Sequence, residues 1–152
     1  MDKLEYIPRD LVSVYVGIKK YIVEVIGTEN ENEALSYQIK FPNGEIQYAD
    51  KDNIVPIPLT PEILEKNGWN KSIGWSYVGS EERGYQFSKE LDDKWDELDR
   101  MTYGDLQICQ CENLRDWSYI NECNHYFRFE FTYVHELQHL LYALHIDSNL
   151  KI

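Results

Sequence analysis

Towards its C-terminal end the chain reads His135-Glu136-Leu137-Gln138-His139, two imidazoles and a carboxylate within five residues. Residues four apart share one face of a helix, so both imidazoles could reach one Zn²⁺. A bound zinc lowers the pKa of its water, and a carboxylate beside the first ligand can then take the proton. On this reading His135 and His139 are metal ligands and Glu136 is the general base. His145 supplies the third ligand, with Asp147 as its substitute, and the chain is a minimal zinc-dependent hydrolase.

The spacing also carries reasons against that chemistry. His145 follows His135 by ten residues, the offset of the third ligand in metzincin-type proteases. Those proteases reverse the chain with a Gly seven residues after the first His, where this sequence has Tyr142. Tyr142-Ala143-Leu144 should continue the helix. At about 100° per residue, His145 would then lie about 80° from His135 and about 120° from His139. On the helical wheel Val134, Leu137, Leu140, Leu141 and Leu144 gather on one side, with His135, His139, Tyr142 and Ile146 opposite. The histidines are expected outside the core, either facing solvent or pressed against another surface.

Other reactive constellations are weaker. Cys109 and Cys111 share a face of an expected strand, but with Cys123 they do not make a standard zinc spacing. The acidic run of Asp92, Asp93, Asp96, Glu97 and Asp99 lacks the glycine and spacing of a calcium loop. There is no Gly-rich phosphate loop and no Gly-x-Ser-x-Gly elbow. Trp69, Trp75, Trp95 and Trp117 are expected in the core, with an aromatic small-ligand pocket as the other use.

The elements around these residues divide into two halves. Leu11–Val16 and Tyr21–Ile26 are rich in β-branched residues, and Leu35–Phe41 alternates apolar and polar with period two. Pro42-Asn43-Gly44 makes a tight turn into Glu45–Tyr48, and Ile54–Pro58 is extended, with prolines suited to a sheet edge. Five short strands predict a small SH3-like β-barrel over residues 1–58. Thr60 caps a helix that opens with Pro61 and stops at Asn67-Gly68. The rest of 59–152 predicts an α+β subdomain packed with the first as one domain. It contains a hairpin around Gly79–Gly84 and an amphipathic helix within Ser88–Met101 on Leu91, Trp95 and Leu98. Strands at Leu106–Cys111 and His125–Phe131 follow, in a small mixed sheet, and the chain closes on a helix from Thr132 to Leu144. The predicted fold class is α+β.

Composition narrows the partners. The 152 residues fit one domain or two small subdomains, and 43% hydrophobic content is enough for a core. The formal net charge is −12, with 15 basic against 27 acidic residues. Polyanions need a Lys/Arg footprint, so nucleic acid and anionic membranes are not expected partners, whereas a protein partner is. The N-terminal residues carry charge without an apolar run, no stretch approaches a membrane span, and the cysteine count is odd. These features predict a cytoplasmic chain with reduced thiols.

Two segments carry a resemblance. They are Asp52-Asn53-Ile54-Val55-Pro56-Ile57-Pro58-Leu59-Thr60-Pro61-Glu62-Ile63-Leu64-Glu65-Lys66-Asn67-Gly68-Trp69 and Tyr133-Val134-His135-Glu136-Leu137-Gln138-His139-Leu140-Leu141-Tyr142-Ala143-Leu144. Together they resemble a family of small uncharacterised proteins of gut anaerobes and of their phages and mobile elements. The close likeness covers about 30 residues, through an Ile-Pro-Leu-Thr helix start and a final Tyr-x-His-x-Leu-Gln helix. The family's usual helix has Gln at the place of Glu136 and Asn at that of His139. The resemblance therefore implies that His135, Leu137 and Gln138 are the shared residues, that the zinc-like motif is accidental, and that no catalytic residue or cofactor is carried over. The first expectation is a non-enzymatic interaction or accessory protein, one version being a phage-encoded inhibitor of a host protein. The zinc hydrolase is the alternative.

Overall fold

The computed structural model describes residues 6–31, 34–76, 83–89, 106–111, 116–120 and 130–152. The fold is α+β, and the chain divides into two compact units. Unit 1 is Met1–Pro58 together with Tyr133–Leu150, and unit 2 is Leu59–Thr132 with Lys151–Ile152. The C-terminal helix, expected within 59–152, thus groups with the first unit.

Unit 1 is built on β1 (Leu11–Val16), β2 (Lys19–Glu31), β3 (Ala34–Lys40), β4 (Ile46–Asp50) and β5 (Ile54–Pro56), with a 3-10 turn at Lys51–Asn53. All pairs are antiparallel, and the strand order is β4-β3-β2-β1-β5. Period-two alternation puts Val12, Val14, Val23, Val25, Tyr37, Ile39, Ala49 and Ile54 into one buried cluster with Tyr6. Burial of each Val and Ile side chain among them stabilises by about 1.5–3 kcal/mol. Gly17 turns β1 into β2 at a φ of 63°, and Gly44 turns β3 into β4 at 88°. Only glycine adopts these angles without cost. A bulge between Val25 and Gly27 bends β2. β4 and β5 are the sheet's two edges and do not pair with each other, so the strand pairing does not close the expected barrel. The proline-bearing strand β5 does lie at an edge.

Unit 2 opens with α1 (Pro61–Lys66). Its N-cap is Thr60, whose Oγ1 accepts a hydrogen bond from the Ile63 N–H, and Gly68 ends the turn at a φ of 78°. The second sheet holds β6 (Asn70–Ser76), β7 (Arg83–Lys89), β8 (Leu106–Cys111), β9 (Trp117–Ile120) and β10 (Glu130–Phe131), in that spatial order. Its described pairs are all antiparallel, which corrects the expectation of a mixed sheet. The strand around Gly74 begins at Asn70, and Ser88 and Lys89 belong to β7 rather than to a helix. The rest of that expected helix, with Leu91, Trp95 and Leu98, lies outside the described residues, as do Cys123, Phe127 and Phe129. Phe87 and Trp117 meet edge-on in the core, and the Trp117 indole donates to the Leu59 carbonyl. Cys109 is buried.

The last element, α2 (Val134–Ala143), carries Val134, Leu137 and Leu141 fully buried. Among the described residues no helix is long and apolar enough to cross a membrane.

Candidate functional site: a His–Asp cleft on the C-terminal helix

α2 begins where the Val134 N–H bonds to the Ile57 carbonyl and Tyr133 pairs with Pro58 across a β-bridge. Tyr133 is extended as the N-cap, and its N–H donates to Glu136 Oε2 at 3.0 Å. This is one half of a capping box: a carboxylate at the third helical position satisfies an amide that the helix leaves open. The carboxylate expected to act as a general base is therefore engaged in capping its own helix.

His135 corrects the wheel-based expectation. It is only 3% exposed and joins the buried residues, on the helix face expected to meet solvent or another surface. Its ring stacks on Tyr133 at 5.9 Å between centroids and meets the edges of Tyr6 at 4.9 Å and His139 at 5.7 Å. Helical periodicity locates one apolar stripe, but here a second segment of chain covers the opposite face. That cover is Tyr6, over His135, and the tight turn Ile7–Asp10 that follows it. Pro8 occupies its second position and the Asp10 N–H closes it on the Ile7 carbonyl at 3.1 Å. Arg9, third in the turn, has a φ of 82°, as a type II turn requires. Glycine or asparagine is usual there, and an arginine costs about 1 kcal/mol.

Gln138 holds this turn to the helix. It is 4% exposed and makes three hydrogen bonds. Its Oε1 accepts from the Leu11 N–H at 2.9 Å, and its Nε2 donates to the carbonyls of Arg9 at 2.9 Å and Ser148 at 3.2 Å. One turn along, His139 Nε2 lies 2.9 Å from both oxygens of Asp10, which is 2% exposed. Asp10 Oδ2 also accepts from the Ile7 N–H at 2.8 Å. The hydrogen bond to Asp10 raises the His139 pKa above its ordinary 6.5. Partial burial opposes the shift, and the charges of Asp10 and Glu136 add to it. Beside the pair opens a cleft of about 400 Å³, lined by Ile7, Pro8, Arg9, Asp10, Gln138, His139, Tyr142 and Ser148.

The helix does not run on through Leu144. Leu144 is the C-cap and His145 takes a left-handed φ of 58°. The Ile146 N–H reaches back to the Leu141 carbonyl at 2.8 Å and the His145 N–H to that of Tyr142 at 3.0 Å, the paired bonds of a Schellman motif. His145 is exposed there, and Asp147 accepts from the Asn149 N–H in the following turn. Of the expected metal residues, the structure brings together His135 and His139. Among the described residues no group of three or more His, Cys, Asp or Glu side chains is placed to hold a metal ion.

Asp10 and Arg9 escaped the sequence reading. The Pro8-Arg9-Asp10 run signals a turn, but nothing local shows that it meets a helix 129 residues later. A buried carboxylate bonded to a partly exposed imidazole can hold a proton, orient a polar ligand, or lock two segments together. No family model matches the sequence, and no curated protein or solved structure is similar to it.

Proposed function

We propose that the protein is a non-enzymatic interaction protein that engages a protein partner through the apolar end of its β1–β2 hairpin. The observation that carries this reading is Ile18, 99% exposed at the tip, with Tyr15, Val16, Tyr21 and Ile22 all between 38% and 48% exposed around it. A single exposed apolar residue is ordinary, whereas a contiguous group of them is a mark of docking. Lys19 and Lys20, the chain's one adjacent basic pair, flank the tip of a protein whose net charge is −12. The complementary partner presents an apolar pocket with an acidic rim. A phage-encoded inhibitor of a host protein is one form of this reading. A further part is that unit 1 winds as an SH3-like barrel, which the strand order and the bulged, thirteen-residue β2 support.

The test compares proteins retained from host lysate by the wild type and by Ile18→Asp, with circular dichroism to verify the fold. A protein bound by the first and lost by the second is the expected result. Identical retention by both, or none by either, would sink the reading.

The zinc-hydrolase reading rests on one observation, the two imidazole rings 5.7 Å apart on α2. It requires Glu136 to leave the Tyr133 amide, while His139 could ligate through Nδ1 with its Nε2 still held by Asp10. Stoichiometric zinc in the purified chain, absent from His139→Asn, would favour it. Loss of hydrolysis in Glu136→Gln with the fold intact would then assign the base.

A further inference from the structure

We propose that the cleft between the Ile7–Asp10 turn and α2 binds a small amphipathic acid, its carboxylate on Arg9 and its apolar body against Ile7, Pro8 and Tyr142. Three observations converge on that chemistry. The cleft's volume of about 400 Å³ suits a ligand of this size. Its polar groups are unevenly paired: Asp10 is satisfied by His139 Nε2 and by the Ile7 amide, whereas the Arg9 guanidinium makes no hydrogen bond or ion pair among the described residues. The Asp10 carboxylate being engaged, the Arg9 guanidinium is the cleft's cation without a partner among the described residues, in a chain of net charge −12. That charge favours an anion, and a guanidinium matches a carboxylate through two parallel N–H donors.

The backbone supplies the third observation. Arg9 sits at a φ of 82°, a position that glycine fills without strain. A strained conformation held by its surroundings is a device for presenting a side chain where a relaxed backbone would not. Here the Arg9 carbonyl is fixed by Gln138 and its amide by the Val25 carbonyl, so the turn cannot relax. Tyr142, 66% exposed on the rim, offers an aromatic wall to the ligand's apolar part.

The experiment is an NMR titration of the whole chain with phenylacetate and, as the uncharged control, phenylacetamide. The expected result is saturable shifts at His139 and Tyr142 with the acid, and at least about tenfold weaker binding of the amide, the scale of one charge-assisted hydrogen bond. Arg9→Gly should melt about 2 °C higher, because the strain is relieved, yet bind the acid at least about tenfold more weakly. Arg9→Lys should bind at an intermediate level. N-acetylphenylalanine distinguishes the source: tighter binding than phenylacetate identifies a peptide's C-terminal carboxylate, and weaker binding a free small acid. No saturable shift with either acid, equal binding of acid and amide, or undiminished binding by Arg9→Gly would overturn the proposal.

Discussion

Gln138→Leu removes one amide and keeps nearly the same volume, so its effect isolates the hydrogen bonds. The wild-type side chain is 4% exposed and serves three backbone groups: the Leu11 N–H and the carbonyls of Arg9 and Ser148. Leu11 is half-buried and its amide would be stranded, at about 1–3 kcal/mol. Arg9 is exposed and Ser148 half-exposed, so water can reach those carbonyls and each loss falls to about 0.5 kcal/mol. The apolar leucine returns part of this, leaving a destabilisation of about 2–3 kcal/mol. With a urea m-value of about 2 kcal/mol/M, the midpoint should fall by about 1–1.5 M. None of the four tryptophans lies in Met1–Pro58 or Tyr133–Leu150, so selectively excited tryptophan follows unit 2 alone, whereas tyrosine fluorescence reports both units, with seven of the twelve tyrosines in unit 1. The tyrosine-detected transition should carry the shift. Gln138→Glu adds a sign. It keeps the acceptor for Leu11 but points carboxylate oxygens at two carbonyls, so its folded pKa rises above the ordinary value of about 4.3. Its penalty is then smallest below about pH 4 and grows as pH rises. A Gln138→Leu midpoint within about 0.3 M of wild type would refute the clamp.

His139 has a folded pKa above 6.5, so the stabilisation from its contact with Asp10 is complete below that pH and lost as pH rises through the folded value. The stability advantage of wild type over His139→Asn should therefore shrink from about pH 6 upwards, read by urea melts at stepped pH, and a constant difference would contradict it. Thr60→Ala removes the acceptor for the Ile63 N–H at the start of α1 and should cost about 1 kcal/mol, with Thr60→Ser restoring most of it in thermal melts. Gly44→Ala places a side chain at a φ of 88° and should cost about 1 kcal/mol in the same assay, although no atom lies within 4 Å of the added Cβ.

Local chemistry was legible wherever neighbours in sequence supply it. Thr60-Pro61 started a helix, Asn43-Gly44 made a turn, and β1, β3 and β8 followed from β-branched or alternating residues. Glu136 was legible as a carboxylate near a helix start, but its two uses, capping and proton transfer, place the same residue in the same position. Whether His135 faces solvent or another surface could not be read from a wheel, which shows only one helix, and the Tyr6 ring that covers it comes from the far end of the chain. The Schellman end was hidden because its left-handed residue is His145 rather than a glycine. Asp10 could not be paired with His139 from spacing, since the contact spans 129 residues. Gln138 holds the turn through bonds to Leu11, Arg9 and Ser148, two of them more than 120 residues away, and no spacing along the chain signals those.

Unit 1 is discontinuous in the chain, and that imposes an order on its synthesis. Its sheet is complete by Pro58, yet the helix that fastens the Ile7–Asp10 turn begins at Val134. At about 5–20 residues per second, the ribosome delivers that helix roughly 4–15 s later. Until then Tyr6 and Asp10 have no His135 or His139 to meet. Closing so long a segment as a floppy loop rather than a short turn costs about 2 kcal/mol in chain entropy. The Leu59 N–H bonds to the Thr132 carbonyl at 2.9 Å, so a folded unit 2 already holds its own ends together. With its ends held, a folded unit 2 replaces a long flexible loop by a short connection, and unit 1 is expected to complete sooner when unit 2 folds first.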